Sequence, residues 1–187
     1  MFRFLFMLIG VLVAATACST SDKGEPVQYE KTVGDLSYVI RLSKQQFERN
    51  EEIPVYAKVT NLGNETLTYV KGSSSCPVHI SVEIINQESM KSLAHKQESD
   101  IPAACTADLI KAQLKPNQTI EQEFVFIGKH YGGRILESPT PRIKLDPAPP
   151  GIYKVQISLT PEDFIIEDHQ RKTINPRPSV NTSIVLY

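Results

Sequence analysis

Short runs of alternating apolar and polar residues recur along most of the chain, and turn-forming residues separate them. From Ile53 to Asn61, and again from Ile152 to Leu159, apolar side chains occupy alternate positions. This period places them on one face of a pleated strand. The strands predicted from such patterns are Leu36–Leu42, Ile53–Asn61, Glu65–Lys71, Val78–Ile85, Thr119–Ile127, Ile152–Leu159 and Val180–Leu186. Their spacing predicts an all-β fold, an Ig-like Greek-key β-sandwich of about seven to eight strands.

The segments between the predicted strands contain residues that favour turns. Asn61–Asn64 tolerates positive φ, and Lys115–Gln118 has proline at the second turn position. Ala103–Gln113 is the one short stretch with a helical pattern. The residues from Gly128 to Pro150 are rich in proline and glycine, so we expect a long surface excursion there.

Tyr153 lies at the start of the predicted penultimate strand, in the sequence Pro150-Gly151-Ile152-Tyr153. Greek-key sandwiches often place a tyrosine near the start of a late strand, where its hydroxyl bonds to backbone a few residues upstream. Tyr153 is therefore predicted to form a structural tyrosine corner.

The N-terminus carries an export signal. Arg3 precedes an apolar run from Phe4 to Ala17, and Cys18 follows small residues. The run is too short to cross a hydrocarbon core about 30 Å thick, which disfavours a retained transmembrane helix. The segment resembles the lipobox of bacterial lipoproteins, although Ala15 stands where that pattern usually has Leu. The resemblance implies cleavage before Cys18 and lipidation of its thiol; ordinary signal-peptide cleavage is the alternative.

The predicted organisation follows from this signal. Residues 1–17 form a lipoprotein signal peptide, residues 18–32 a lipidated flexible tether, and residues 33–187 the β-sandwich domain. The whole chain has 20 basic and 21 acidic residues, and cleavage before Cys18 would remove one basic residue, Arg3. Because both signs are interspersed, nucleic acid is not an expected partner. The lipid makes the membrane an expected one.

The other two cysteines, Cys76 and Cys105, form an even pair in an exported chain. A disulfide is the simplest interpretation, with two free thiols as the alternative. The four histidines do not occur at metal-site spacings, so we expect no metal and no cofactor.

Three segments of the sequence resemble those of a known family: VYAKVTNLGNETLTY (55–69), LKPNQTIEQEFVF (114–126) and PGIYKVQISL (150–159). In their order they resemble the Ig-like domain of the BsuPI family, which is named for an intracellular proteinase inhibitor of bacilli. Asn117 stands where the family turn usually has Gly. The resemblance implies an Ig-like fold, and inhibition does not transfer with the fold.

Catalytic motifs are not evident in the sequence, and the acidic pairs at strand ends have no partner groups for acid–base chemistry. The predicted loop with the most varied side chains contains Lys129, His130, Tyr131 and Arg134. These residues form the candidate recognition loop, for which an ordinary polar loop is the alternative.

We therefore expect a non-catalytic Ig-like binding or assembly module, anchored by lipid on the outer side of a bacterial membrane, with a protein partner in the cell envelope. A proteinase inhibitor of the BsuPI type is the alternative, with the Cys76–Cys105 segment as its rigid loop. An accessory domain of an enzyme, or a hydrolase of unrecognised type, is a third possibility. The residues do not identify the partner.

Overall fold

The computed structural model describes residues 24–96, 105–106, 108–135, 142–167, 170–174 and 176–187. These residues form strands and turns, with no helix among them, so the predicted all-β fold is confirmed. In chain order the strands are β1 (Val27–Val33), β2 (Leu36–Leu42), β3 (Gln46–Phe47), β4 (Glu52–Asn61), β5 (Leu67–Val70), β6 (Ile80–Asn86), β7 (Leu93–His95), β8 (Lys111–Leu114), β9 (Thr119–Ile135), β10 (Arg142–Pro147), β11 (Gly151–Leu159), β12 (Asp163–Glu167), β13 (Gln170–Ile174) and β14 (Ser179–Leu186).

Two main sheets form the sandwich. The larger sheet has the order β1-β2-β4-β9-β10, and β7 also pairs with β9. The smaller sheet has the order β3-β14-β11-β6. Neighbouring strands run antiparallel, except that β3 pairs with β14 in parallel. The seven predicted strands are present as β2, β4, β5, β6, β9, β11 and β14.

The core lies between the two sheets, where the predicted alternation is confirmed. In β4 and β11 every second side chain is at most 1% exposed, namely Ile53, Val55, Ala57, Val59, Tyr153, Val155, Ile157 and Leu159. Burial of each large apolar side chain contributes roughly 1.5–3 kcal/mol to stability. Side chains of both strands therefore meet in one apolar layer.

The two predicted turns differ in outcome: no residue from Asn61 to Asn64 has positive φ, whereas Asn117 in the second turn does. The buried Asn61 side chain accepts a hydrogen bond from the N–H of Gly63 (2.9 Å) and donates to the carbonyl oxygens of Glu65 and Leu114. Asn117 has φ 61°, a left-handed conformation that asparagine adopts more readily than most residues. Asn117 therefore fits this turn position, where glycine is the usual residue.

The predicted corner tyrosine makes the expected contact. The ring of Tyr153 is fully buried, and its hydroxyl donates a hydrogen bond to the carbonyl oxygen of Pro149 (2.7 Å). Burial raises the pKa of this hydroxyl. The bond fixes the connection that enters β11.

The predicted tether of residues 18–32 overlaps a strand. Val27–Val33 forms β1 and pairs along its whole length with β2. The Val27 and Tyr29 side chains are half-buried, and Tyr29 packs against the core. The alternation of Val27, Tyr29 and Val33 could have revealed this strand, but the charged residues between them obscured it.

The expectation of a helix over Ala103–Gln113 is wrong for its described part. Residues 108–110 are not helical, and Lys111–Leu114 forms β8, which pairs with β5. Helix propensity is a weak preference, and tertiary pairing overrides it here. Residues 101–104 and 107 lie outside the described residues.

The expected surface excursion from Gly128 to Pro150 is also wrong for most of its described part, and residues 136–141 lie outside the described residues. The chain continues β9 to Ile135 and returns as β10, which pairs with β9 from Arg142 to Pro147. Glycine permits this: at Gly128 and Gly132 a Cβ atom would collide with the Arg49 carbonyl oxygen and the Asp146 carboxylate, respectively. Gly133 has φ 121° beside a β-bulge.

Candidate functional site

The structure joins two of the predicted site residues. Cys76 and Cys105 form a disulfide with their Cα atoms 5.6 Å apart. Cys18, the predicted lipidation site, lies outside the described residues. The disulfide is therefore observed, and lipidation stays a prediction.

The disulfide lies beside an exposed polar loop. Ser74 and Ser75 are exposed, and their hydroxyl groups lie 3.0 and 3.2 Å from the Thr106 hydroxyl. The Ser74 N–H donates to the Asp108 carboxylate (3.2 Å). The backbone N–H of Thr106 donates to the Ser75 hydroxyl oxygen. These bonds and the disulfide connect the loop to the chain segment that precedes β8.

The candidate recognition loop is not a loop. Lys129, His130, Tyr131 and Arg134 all belong to β9, whose pairing partner there is β10. Strand alternation separates the side chains of the first three: Lys129 and Tyr131 are exposed, whereas His130 is only 4% exposed. His130 therefore points into the protein, because it follows the period of the strand.

His130 lacks a hydrogen-bond partner at Nε2, within the part of the chain that the structure describes. Its ring lies 6.1 Å from that of Tyr153, between centroids. Burial, reinforced by the Lys91 ammonium, lowers the pKa of His130, and the Asp146 carboxylate opposes this shift. The side chain is therefore a neutral part of the core near neutral pH.

A groove lies at the side of the sandwich where β6 and β9 face each other. The N–H groups of Ile80 and Asn86 point away from β11, to the Gln122 side chain and the Lys91 carbonyl oxygen respectively. Backbone direction alternates along an antiparallel strand, so Val82 and Ile84 present their backbone groups to the same side. The segment that leads into β7 already covers one end of this edge, since Ile85 and Ser92 form an antiparallel bridge. Among the described residues, no strand pairs with the edge at Val82.

The opposite wall of the groove is the edge of β9. The Val125 carbonyl oxygen accepts a hydrogen bond from the Lys96 N–H, beyond the end of β7. By the same alternation, Glu121 and Glu123 present backbone groups to this side. Within the described ranges, no strand pairs with them there. Both walls therefore present some backbone groups that no described strand pairs with.

The lining of the groove is largely apolar. Its volume is about 510 Å³, and its lining residues are Val78, Ile80, Ser81, Val82, Glu83, Ser92, Leu93, His95, Phe124, Phe126 and Tyr131. His95 stacks on Phe126 with ring centroids 4.2 Å apart, and Phe124 lies next to both rings. Burial lowers the pKa of His95, so its ring adds a neutral aromatic surface near neutral pH.

This arrangement suits an extended polypeptide. A strand placed between β6 and β9 could bond to either backbone edge, while its alternate side chains enter the apolar lining. Glu83 is exposed at the groove and favours a basic residue in the occupant. Sequence reasoning missed the groove, because its residues come from separate segments that only the strand register brings together.

In the described part of the chain, no helix is long and apolar enough to cross a membrane.

Comparison with known proteins identifies no family. No family model matches the chain, and no curated protein matches it. Among solved structures, a β-glucosidase from Erythrobacter marinus is similar with a TM-score of 0.42 and 14% identity over 81% of this chain. A β-glucosidase from Listeria innocua has a TM-score of 0.39 and 12% identity over 87% of this chain. The chain spans 15% and 16% of the lengths of these proteins.

The buried histidines predict a specific pH dependence of stability. Desolvation lowers the folded-state pKa of His79, His95 and His130 below 6.5. Below that value the unfolded chain takes up protons that the folded chain excludes, so the free energy of unfolding should fall as pH decreases through about 6.5. Carboxylates such as Glu51, whose pKa is lowered from 4.5, change the free energy of unfolding only at more acidic pH.

Chemical denaturation at pH 8 and pH 5.5 measures this effect. The variant His130→Leu removes a buried polar atom that has no partner, so we expect little loss of stability at pH 8. Its stability should decrease less than that of the wild type between the two pH values. An equal decrease in both proteins would show that His130 does not contribute.

Proposed function

We propose that this protein is a non-catalytic Ig-like binding module, anchored by lipid at Cys18 on the outer side of a bacterial membrane. Its partner is a protein of the cell envelope that places an extended segment in the groove between β6 and β9. The groove is the observation that carries the binding role, since two strand edges and an apolar lining converge there. The resemblance to lipobox and BsuPI sequences supports the location and the fold type.

The geometry of the groove favours a polypeptide over a small molecule. The site is an open channel between strand edges, whereas small-molecule sites are usually enclosed clefts. The observed disulfide is also compatible with the proposed compartment, because disulfides persist mainly in oxidising environments. Binding would therefore take place outside the cytoplasm.

The anchor is tested by replacing the proposed lipidated residue. In cells supplied with labelled fatty acid, the wild-type protein should incorporate label and fractionate with membranes. Cys18→Ser removes the acceptor thiol, so label should be lost and the protein should appear as uncleaved precursor or in released form.

The control for this experiment is Cys76→Ser, which leaves Cys18 intact and should remain labelled. Persistent labelling of Cys18→Ser would refute lipidation at this residue. Equal loss of label in both variants would indicate a general failure of export and would leave the anchor without support.

A second candidate function is proteinase inhibition, favoured by the loop at Ser74 and Ser75. The loop is exposed, and the disulfide together with the contacts to Thr106 and Asp108 restrains it. Inhibitors gain affinity when a binding loop is rigid before it meets the enzyme.

Titration of purified protein against a panel of serine and cysteine proteinases separates the two candidates. Stoichiometric loss of proteinase activity, abolished by reduction of the disulfide, would favour the inhibitor. Unchanged activity together with cleavage within the Ser74–Ser75 loop would rule it out.

A further inference from the structure

We propose that the outer face of the smaller sheet rests on the membrane that holds Cys18, through an apolar patch at one end of that face. The apolar patch is defined as Ile85, Ile152, Val185 and Tyr187. This inference rests on the proposed lipid anchor and adds an orientation of the domain relative to the bilayer.

The centre of the apolar patch is a pair of neighbouring side chains on adjacent strands. Ile152 of β11 pairs directly with Val185 of β14, so both side chains lie on the same face, about 5 Å apart at Cβ. This is the outer face of the sheet, because the next residues along each strand, Tyr153 and Ile184, are buried. Ile152 is 53% exposed and Val185 is 38% exposed.

The remaining members extend this pair on both sides. Ile85 of β6 pairs with Lys154, two residues after Ile152, and Tyr187 follows β14 with 57% of its surface exposed. Farther along the same three strands, the outward positions are polar, namely Ser81, Glu83, Gln156, Ser158, Ser179 and Asn181. The apolar side chains are therefore confined to one end of the face, where Lys154 adds a positive charge that favours anionic headgroups.

The described chain begins beside the apolar patch. A Cβ atom at Gly24 would lie 3.0 Å from the Cβ atom of Lys44. The next residue, Gln45, accepts a hydrogen bond at its carbonyl oxygen from the Val185 N–H (2.9 Å). Gly24 and Tyr187 also line one open cavity of about 490 Å³. The chain from the lipid therefore enters the domain next to this patch.

The length of chain between the lipid and the domain limits where the bilayer can lie. Six residue steps from Cys18 to Gly24 span at most about 22 Å, even when fully extended. A bilayer that holds the lipid must therefore lie within that distance of Gly24. It can meet the end of the sandwich or one of the two outer faces.

The end of the sandwich is a poor contact, because β9 projects beyond it. The register of β1, β2, β4 and β9 places Val27 at the level of Phe124. Gly24 lies at most about 10 Å beyond this level, whereas Ile135 lies about 36 Å beyond it at roughly 3.3 Å per residue. β9 therefore passes Gly24 by about 26 Å, which is more than the chain from Cys18 can span.

The two outer faces differ in their chemistry. The outer face of the larger sheet carries the charged side chains of Glu30, Arg41, Lys58, Glu121 and Glu123. Contact with lipid would desolvate these groups without burying apolar surface. The outer face of the smaller sheet offers the apolar patch instead. Contact there also leaves the β9–β10 hairpin in the other sheet, about 10 Å farther from the lipid.

The sequence offers a direct optical test, because the chain contains no tryptophan. Ile152→Trp places a single tryptophan on the apolar patch. Tyr131→Trp places one on the β9–β10 hairpin, and Leu62→Trp places one on an exposed side chain near the opposite end of the sandwich. The full-length, lipidated variants are reconstituted in phosphatidylglycerol–phosphatidylcholine vesicles, with or without bromine on the acyl chains. Mass spectrometry of the same preparations verifies the lipid on Cys18.

We expect brominated lipid to reduce the emission of Ile152→Trp about twofold and to leave Tyr131→Trp and Leu62→Trp unchanged. Unquenched emission from Ile152→Trp, in preparations with verified lipid, would overturn contact of the patch while the anchor stands. Absence of lipid on Cys18 would instead overturn the anchor. Equal quenching of all three tryptophans, or quenching of Tyr131→Trp alone, would contradict the proposed orientation.

A pair of aspartate variants provides a second readout in the Ile152→Trp protein. Val185→Asp places a carboxylate on the apolar patch, where apolar contact and anionic headgroups both oppose it, so quenching should be lost. Ser179→Asp adds the same charge at the polar end of the same strand and should leave quenching intact. Equal loss of quenching in both variants would reduce the effect to net charge and contradict a specific patch.

Sedimentation of the Cys18→Ser protein tests whether the apolar patch binds a second copy of the chain instead. We expect a monomer, because the patch is assigned to the bilayer. A dimer that Val185→Asp converts to a monomer would assign the patch to a protein interface and overturn the membrane contact.

Discussion

Replacement of Cys76 and Cys105 together by alanine is expected to lower the free energy of unfolding by about 3–4 kcal/mol. The disulfide closes a ring with a sequence separation of 29, and the loss of this constraint increases the conformational entropy of the unfolded chain. The ring contains β6 and β7, so one wall of the groove lies within it. Chemical denaturation of the oxidised proteins measures the difference.

The double variant avoids a free thiol, and reduction of the wild type should reproduce its loss of stability. Ser74→Ala is the control, because it removes only an exposed hydroxyl contact, and its effect should stay within about 0.5 kcal/mol. A double variant as stable as the oxidised wild type would contradict a stabilising role for the bridge.

Tyr153→Phe is expected to lower the free energy of unfolding by about 1–3 kcal/mol. The substitution keeps the buried ring and removes only the hydroxyl group that bonds to the Pro149 carbonyl oxygen. The loss has two sources: the bond itself and the carbonyl group that is left without this partner. Denaturant titration at pH 8 measures the change without interference from histidine protonation.

Tyr131→Phe is the matched control, since the side chain of Tyr131 is 45% exposed. Its effect should fall within about 0.5 kcal/mol. Equal and negligible effects at both tyrosines would show that the Tyr153 hydroxyl does not stabilise the entry to β11.

Sequence reasoning predicted the sandwich because its strongest strands carry an unambiguous period of two. In β4 and β11 burial alternates with exposure in the same way as apolar alternates with polar residues, and local turn chemistry supports each boundary. The Tyr153 contact was predictable for a similar reason, since its partner Pro149 lies close in the chain.

The extension of β9 was not predictable from local sequence. Gly128 and Gly132 indicate a loop when the chain is considered alone, but in the structure they allow close approach by Arg49 and Asp146, which are distant in sequence. The same error assigned His130 to a recognition loop. Its burial depends on the strand register and on the neighbouring β11.

The groove depends even more strongly on tertiary structure. Phe124 and Phe126 appear in the sequence as ordinary strand residues, and His95 lies in a short strand without a clear pattern. Only the pairing of β7 with β9 places His95 against Phe126. A pattern with a fixed sequence spacing cannot encode a site that is assembled from several chain segments in this way.

Photo-crosslinking in living cells tests the central proposal most directly. A photoreactive amino acid replaces Phe124 in the groove, or Leu62 at the far end of the sandwich as a control, in the full-length anchored protein. After irradiation, crosslinked species are separated under denaturing conditions and identified by mass spectrometry.

The proposal predicts a discrete adduct between the Phe124 position and one envelope protein, formed through an extended segment of that protein and absent at the Leu62 position. The Phe124 adduct should disappear when unlabelled wild-type protein is overproduced, because the unlabelled groove competes for the partner. Crosslinks only within the same chain, or the same adducts at both positions, would contradict the proposal that this groove binds a partner.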